Sequence, residues 1–146
     1  MIAIIPARLS SSNFPEKILE QVGGFTLIEN VVSWVREVPT VRKTVVATEN
    51  DELATRLEGR HLTVVRTSNI PRLGIERAAE AARQMDVREP VLYVSSDILI
   101  ENPYQVGDAI VRSADEDPDW LFTLVQKRQG AAELADRKRV KAAVAI

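Results

Sequence analysis

Two cations and a run of hydroxyls lie close together near the start of the chain, in the segment IIPARLSSSNFPEK (residues 4–17). Arg8 and Lys17 are nine positions apart. The residues between them include three consecutive serines, Ser10, Ser11 and Ser12. Hydroxyls, backbone N–H groups and fixed cations are the groups that bind phosphate oxygens. The segment lacks the glycines of the G-x-x-x-x-G-K-[ST] loop. A phosphate-binding loop of another kind and an ordinary surface loop therefore both remain open.

A carboxylate follows the strongly apolar stretch PVLYVSSD (residues 90–97). The apolar residues predict a buried strand, and Asp97 stands where that strand ends. Carboxylate oxygens are among the ligands that Mg²⁺ prefers, so a metal held by Asp97 could bridge phosphate groups. The alternative is that Asp97 caps a turn or a helix. The cationic first loop favours the metal hypothesis, because a metal–phosphate complex needs protein groups of both signs.

The elements that would position these residues alternate between strands and helices. Continuous apolar runs predict five strands, at residues 2–6, 43–48, 61–67, 90–97 and 120–125. Helices are predicted in the intervals, and a last one over residues 131–144. Three of them have recognisable starts: Thr26 with Glu29 forms a capping box, Asn50 precedes Asp51, and Asn102 precedes Pro103.

The helix that follows residues 61–67 is predicted from its apolar spacing. Its apolar face is formed by Ile75, Ala78, Ala79, Ala82 and Met85. Arg77 falls opposite Ile75 and Ala79, where it either reaches inward or is solvated.

Strands alternating with helices predict parallel pairing through right-handed crossovers, and therefore a three-layer α/β fold with a mostly parallel sheet of at least five strands. Ligands of such sheets bind beyond the carboxyl ends of the strands. We expect the ends of the first and fourth strands, which carry Arg8 and Asp97, to lie side by side at one edge of a cleft. No repeat or linker interrupts the pattern, so residues 1–146 are predicted to form a single domain.

The composition excludes several classes of protein. The chain has no Cys, so it contains neither disulfides nor thiolate metal sites. No apolar run is long enough for a membrane span, and the N-terminus does not have the pattern of a signal peptide, so a cytoplasmic protein is expected. Residues 127–146 hold six Lys/Arg against two acidic residues. No aromatic side chains interleave these charges, which favours a solvated helix face over nucleic-acid binding.

Four segments together resemble a known family. They are IIPARLSSSNFPEKILEQVGGFTLIENVV, VVATEND, GIERAAEAA and VLYVSSDILIENP, in that order along the chain. This set is similar to the cytidylyltransferases that include the CMP-Kdo synthetases and the SpsF-like spore-coat polysaccharide nucleotidyltransferases. The resemblance implies a Rossmann-like nucleotidyltransferase fold, and covers residues 1 to 125.

The resemblance also implies a reaction. A hydroxyl of a sugar acid or similar acceptor attacks the α-phosphorus of CTP, and pyrophosphate leaves with the help of Mg²⁺. Arg8 and Lys17 would neutralise the triphosphate, and Asp97 would hold the metal. The residues expected to contact nucleotide are Ala7, Arg8, Ser10, Ser11, Ser12, Lys17, Arg77 and Ser95.

The chain departs from the family pattern within the segments that are expected to bind nucleotide and metal. Asn13 replaces a usual Arg, Glu16 replaces a common Gly, and Ser95 begins a block that commonly reads Gln-Gly-Asp. Family members also continue into a C-terminal portion that the sequence after residue 126 does not match, so a homodimer or a partner chain is expected. Two hypotheses follow: a CTP-dependent cytidylyltransferase, or a non-catalytic nucleotide- or phosphate-binding relative that acts as a subunit or regulator. The sequence does not identify the acceptor.

Overall fold

The computed structural model describes residues 1–9 and 16–113. The elements in this part of the chain are β1 Ile2–Pro6, β2 Gln21–Val22, β3 Phe25–Thr26, α1 Leu27–Arg36, β4 Lys43–Thr48, α2 Asp51–Glu58, β5 Val64–Arg66, α3 Gly74–Gln84, β6 Val91–Tyr93 and α4 Pro103–Ser113. A short 3-10 turn covers Lys17–Leu19. The strand predicted at residues 120–125 and the helix predicted at residues 131–144 lie outside the described residues.

The main sheet is parallel throughout the described part of the chain. Its strand order is β5-β4-β1-β6, and β2 pairs with β3 in a separate antiparallel hairpin. In register, Ile4 of β1 lies beside Val45 of β4 and Tyr93 of β6. The predicted α/β fold is confirmed. So is the prediction that the first and fourth predicted strands are neighbours, since these are β1 and β6.

Helices cover both faces of this sheet. Alternate residues of β1 point to opposite faces, so Ala3 and Ile5 pack into the core beneath α1 and α2, whereas Ile2 and Ile4 pack against α3. All four side chains are at most 6% exposed. A strand covered on both faces has no polar side, which is why its sequence is a continuous apolar run rather than an alternating one.

The three predicted helix starts are present. At α1, the Glu29 N–H donates to Thr26 Oγ1 (3.4 Å) and the Thr26 N–H donates to Glu29 Oε2 (2.7 Å), which completes the capping box. Asn50 Oδ1 accepts from the Leu53 N–H at 2.7 Å, and Asn102 Oδ1 accepts from the N–H of the residue after Pro103 at 3.1 Å. These polar side chains bond to N–H groups that have no partner within the helix.

Two predictions need correction. The strands at residues 61–67 and 90–97 are shorter than predicted, because only Val64–Arg66 and Val91–Tyr93 remain in the sheet ladder. The apolar face of α3 was also partly wrong. Ile75 is 46% exposed, while Arg77 is 1% exposed and Ala78 and Ala81 pack on the sheet. The helix is rotated from the predicted orientation, because one carboxylate (Glu49) and one hydroxyl (Thr67) bind Arg77 on its buried side.

A search of the described residues for membrane-spanning helices found none with the length and apolar character that a crossing requires.

Candidate functional site

A groove of about 230 Å³ opens at the carboxyl edge of the sheet, where β1 and β6 end side by side. Its lining comes from the ends of both strands, from the 3-10 turn and from the start of α3: Pro6, Arg8, Lys17, Ile18, Gly74, Tyr93, Ser95, Ser96 and Asp97. Four of the residues predicted from sequence therefore meet in one place. They are Arg8, Lys17, Ser95 and Asp97.

The two residues that carry opposite charges in this groove form an ion pair. Lys17 Nζ lies 2.9 Å from Asp97 Oδ2, although the residues are 80 positions apart in sequence. Ser95 Oγ donates to the other carboxylate oxygen, Oδ1, at 2.7 Å. The side chains of Lys17 and Asp97 remain 45% and 43% exposed. Both oxygens of Asp97 thus accept a hydrogen bond, yet the group still faces solvent in the groove.

These contacts shift two ionisation equilibria. The hydrogen bond from Lys17 lowers the pKa of Asp97 below its usual value, although partial burial acts in the opposite direction. Burial, followed by the negative charge of Asp97, raises the pKa of Tyr93. At neutral pH the groove therefore holds an ionised carboxylate beside a neutral phenol.

Arg8 also lines the groove, and its contacts are with Pro71 and Glu49. Its guanidinium donates to the carbonyl oxygen of Pro71, and its Nε lies 4.0 Å from Glu49 Oε1. The side chain is 33% exposed, so it keeps access to the groove while these contacts hold it. The arrangement leaves Arg8 available to an anionic ligand that can compete with one carbonyl and one distant carboxylate.

Arg77 has a different environment from the one a ligand contact would need. It is 1% exposed and does not line the groove. Its Nη1 lies 2.8 Å from Glu49 Oε2 and donates to Thr67 Oγ1 at 2.5 Å, and its Nη2 donates to the Pro71 carbonyl at 3.3 Å. Burial lowers the pKa of Arg77, which nevertheless stays cationic because the ordinary pKa of an arginine is far above neutral pH. Arg77 thus supports the loop and the carboxylate that also contact Arg8.

Gly74 is fitted tightly against the floor of the groove. A Cβ at this position would lie 2.7 Å from the Tyr93 hydroxyl oxygen and 3.1 Å from Pro6 Cγ. The first of these distances is shorter than van der Waals contact allows. Only glycine lets the start of α3 approach the ends of β1 and β6 this closely.

Glu16 precedes Lys17 in a left-handed backbone conformation, with φ 57° and ψ 13°. Its N–H donates to the Leu9 carbonyl at 3.0 Å, which closes the first loop, and its own carbonyl accepts from the Leu19 N–H at 2.7 Å. Non-glycine residues adopt this conformation at a cost. The common glycine of the family pattern at this position therefore has a backbone reason as well as an electrostatic one.

The remaining predicted nucleotide contacts are Ala7 and the three serines of the first loop. Ala7 is fully buried, and its N–H already donates to the Ala47 carbonyl at 2.8 Å. Ser10, Ser11 and Ser12 lie outside the described residues, as does Asn13.

Sequence reasoning missed three residues that shape the site. Glu49 lies between Arg8 and Arg77, and Tyr93 lines the groove. Trp34 Nε1 donates to the Ile98 carbonyl at 2.8 Å and so fixes the chain just after Asp97. Glu49 follows the strand KTVVAT as Asp97 follows its own strand, and this shared position was the available signal.

The donors in the groove fit a metal only in part. The described residues contain no group of three or more His, Cys, Asp or Glu that could hold an ion. Mg²⁺ usually binds proteins through one or two carboxylates and takes its other ligands from water and phosphate. Asp97 fits that role in a site completed by a ligand's phosphates.

Comparison with known proteins shows to which proteins the chain is similar. A family profile described as "Cytidylyltransferase" matches residues 2–145, and so extends beyond residue 126, after which no match to the family was expected from the sequence. The 3-deoxy-manno-octulosonate cytidylyltransferase of Geobacter sulfurreducens is 32% identical over 122 residues, which cover 84% of this chain and 48% of that protein. The protein of the same name from Chlorobium phaeobacteroides is 35% identical over 126 residues, which cover 85% of this chain and 50% of that protein.

A solved structure shows the same fold. It is described as a CMP:2-keto-3-deoxy-manno-octonic acid synthetase complexed with CTP. The TM-score is 0.71 at 23% identity, and the match covers 79% of this chain and 47% of that one. The chain therefore spans about half the length of the relatives that it matches.

The profile match extends over nearly the whole chain, the relatives exceed 30% identity over most of it, and the fold agrees. The chain belongs to the cytidylyltransferase family.

Proposed function

We propose that this chain binds CTP in the groove at the carboxyl edge of the sheet and transfers CMP to a hydroxyl of a sugar acid, with release of pyrophosphate. The observation that carries the proposal is the 2.9 Å pair of Lys17 and Asp97 at the edge where β1 and β6 end. A nucleotide–metal complex requires a cation for its phosphates and a carboxylate for its metal. Family membership supplies the nucleotide class.

Each groove residue has a role in this proposal. Arg8 and Lys17 neutralise the triphosphate, Asp97 holds Mg²⁺, and Ser95 orients the carboxylate through its 2.7 Å hydrogen bond. When bound, Mg²⁺ would offset the charge that builds up on the phosphate oxygens. Arg77 positions Arg8 through the Pro71 carbonyl, to which both arginines donate, and Glu49 lies 4.0 Å from Arg8 Nε.

The reaction needs little covalent participation by the protein. The acceptor's hydroxyl oxygen forms a bond to the α-phosphorus, and the bond from that phosphorus to the bridging oxygen breaks. The bridging oxygen keeps the electron pair and leaves as part of pyrophosphate, while the hydroxyl proton passes to water. Alignment of the reacting oxygens and stabilisation of charge then account for most of the rate enhancement.

The acceptor class comes from the relatives. Two of them are named for cytidylyl transfer to 3-deoxy-manno-octulosonate, so a 2-keto-3-deoxy sugar acid is the first candidate. The acid's carboxylate would need a cation of its own. None of the groove residues is committed to that role, so the acceptor is a proposal that rests on the relatives alone.

A second function is favoured by the first loop. Glu16 places a carboxylate next to Lys17, and Asn13 takes the place of a usual cation. Each of these changes weakens the attraction for a triphosphate. The alternative proposal is a non-catalytic relative that binds a nucleotide or phosphate and acts as a subunit or regulator of another chain.

Assembly with a second copy or a partner chain is also proposed. Three apolar side chains near the start of α3 are exposed, namely Ile70 (81%), Leu73 (60%) and Ile75 (46%). Exposed apolar side chains that cluster along a segment are typical of contact surfaces. Sedimentation velocity tests this: a monomer at high micromolar concentration would contradict it.

A pyrophosphate-release assay separates the two functions. The protein is incubated with CTP, Mg²⁺ and 3-deoxy-manno-octulosonate, and the matched control is Asp97→Asn, which keeps the side-chain volume and removes the charge. Release by the original protein and not by Asp97→Asn would support the transferase. CTP binding without pyrophosphate release in the presence of any sugar acid from a panel would support the non-catalytic relative. Absence of both CTP binding and pyrophosphate release would contradict each proposal.

A further inference from the structure

We propose that Lys17 and a divalent cation compete for Asp97, so that Lys17 keeps the metal position closed until a nucleotide binds. This inference rests on the proposed function, since it concerns how the same groove is loaded. It assigns Lys17 a second role, in addition to phosphate binding. The supporting contacts are the hydrogen bonds that Asp97 accepts from Lys17 and Ser95.

Each oxygen of Asp97 already accepts one hydrogen bond in this structure. Oδ2 accepts from Lys17 Nζ at 2.9 Å and Oδ1 accepts from Ser95 Oγ at 2.7 Å. A magnesium ion binds a carboxylate oxygen at about 2.0–2.1 Å and requires nearly octahedral surroundings. An ammonium group at 2.9 Å from Oδ2 occupies one of the positions from which such an ion and its waters would approach this oxygen. The two cations therefore compete for Asp97, because both approach Oδ2 and their charges repel.

The backbones that carry the pair are held independently of it. Lys17 lies in the 3-10 turn, where Ile18 is 4% exposed and the Glu20 N–H donates to the Lys17 carbonyl at 3.2 Å. On the other side, the Trp34 indole fixes the Ile98 carbonyl. Breaking the ion pair thus requires only that the lysine side chain change its rotamer, and not that either turn move.

A triphosphate offers Lys17 another anionic partner in the same groove. Once the ammonium turns to phosphate, Oδ2 of Asp97 becomes free, and phosphate oxygens supply further ligands for the metal. Nucleotide and metal then bind with positive coupling, and by thermodynamic linkage each increases the affinity for the other to the same extent. The ion pair contributes to this coupling because it opposes the metal only while the nucleotide is absent.

The competition predicts opposite effects of one substitution on two ligands. Replacing Lys17 by Met keeps the length of the side chain and removes its charge. The nucleotide-free Lys17→Met protein should bind Mn²⁺ more tightly than the original, by roughly three- to tenfold, the scale of losing a partly exposed ion pair and a neighbouring positive charge. The same protein should bind CTP more weakly. A lysine that served only as a phosphate ligand would leave Mn²⁺ binding by the nucleotide-free protein unchanged.

The experiment is a titration of the full chain with MnCl₂, monitored through the electron paramagnetic resonance signal of free Mn²⁺. The titration is carried out first without nucleotide and then with CTP. The matched control is Arg36→Met. It removes one charge from an exposed side chain that makes no ion pair within the described part of the chain. Amide relaxation by bound Mn²⁺ locates the ion, and the amides of residues 95–98 should be the most affected.

Tighter Mn²⁺ binding by Lys17→Met than by Arg36→Met, with the ion located at residues 95–98, supports the competition. Equal or weaker binding by Lys17→Met, or an ion located elsewhere, overturns it. The CTP titration tests the proposed function separately. If CTP fails to bind while Lys17→Met still binds Mn²⁺ more tightly, the proposed function fails and the competition at Asp97 stands.

Discussion

Replacement of Glu16 by Gly should both stabilise the protein and strengthen nucleotide binding, for two separable reasons. Glu16 has φ 57° and ψ 13°. The left-handed conformation costs a non-glycine residue about 1–2 kcal/mol, whereas the extra freedom of glycine in the unfolded chain costs about 0.5–1 kcal/mol. The midpoints of these two ranges differ by about 0.75 kcal/mol. The free energy of unfolding should rise by about that amount, and Tm by about 1.5–3 °C for a chain of this size.

The second reason is charge. Glu16 is exposed and is adjacent to Lys17, which is expected to bind phosphate. One negative charge about 4 Å from a phosphate oxygen costs about 1 kcal/mol in water-like surroundings, so its removal should tighten CTP binding roughly fivefold. Adding Asn13→Arg should tighten binding further, because it supplies a cation in the same loop. Calorimetric titration with CTP and Mg²⁺ measures both effects, and they should weaken as salt rises.

Two control variants separate these contributions. Glu16→Gln removes the charge but keeps the left-handed backbone, so it should tighten CTP binding without raising Tm. His61→Gly relieves the same backbone conformation (φ 60°) away from the groove, so it should raise Tm without changing CTP binding. If Glu16→Gly leaves Tm unchanged while His61→Gly raises it, the backbone argument is wrong. If neither substitution of Glu16 changes the CTP affinity, the carboxylate points away from the phosphates and the charge argument is wrong.

Three further predictions concern the groove and its support. Gly74→Ala should lower the free energy of unfolding, measured by chemical denaturation, by about 1–3 kcal/mol through overpacking. Adding Tyr93→Phe should recover part of this loss, because it removes the oxygen that a Cβ would meet at 2.7 Å. No recovery in the double variant would contradict this explanation. Arg77→Met should lower the free energy of unfolding by about 2–4 kcal/mol, because it leaves the Glu49 carboxylate with only the 4.0 Å contact to Arg8 Nε. A loss of less than about 1 kcal/mol in urea denaturation would contradict this. The lowered pKa of Asp97 means that its contribution to stability is present above the ordinary aspartate pKa and is lost as the pH falls through the folded value. Lys17→Met should therefore raise the pKa of Asp97 in an NMR titration, and an unchanged value would show that the pair does not persist in solution.

Much of the fold could be predicted because its local signals agree with its packing. The strand at residues 43–48 was predicted at its observed bounds, since a strand covered on both faces is a continuous apolar run. Thr26 and Glu29 fixed the start of α1 because a capping box depends on residues only three positions apart. The presence of Arg8 and Asp97 in one groove followed from parallel pairing, which puts the carboxyl ends of neighbouring strands at one edge.

The parts that could not be predicted depend on contacts between distant residues. Apolar spacing placed Ile75 on the buried face of α3, but Arg77 took that position because Glu49 and Thr67 neutralise and bond it there. The Lys17–Asp97 pair joins residues 80 positions apart, and only the folded chain shows that their side chains meet. The left-handed backbone at Glu16 could not be predicted either, because the charge of a side chain carries no information about its backbone φ angle.

The central claim is that CTP binds at the carboxyl edge of the sheet, between the ends of β1 and β6. The most direct measurement is the change in backbone amide chemical shifts when CTP and Mg²⁺ are added to the ¹⁵N-labelled protein. The claim predicts the largest shifts at residues 7–9, 16–18 and 95–98, with little change at residues 40–43 and 61–63 at the opposite edge. Largest shifts at that opposite edge, or none at millimolar CTP, would contradict it.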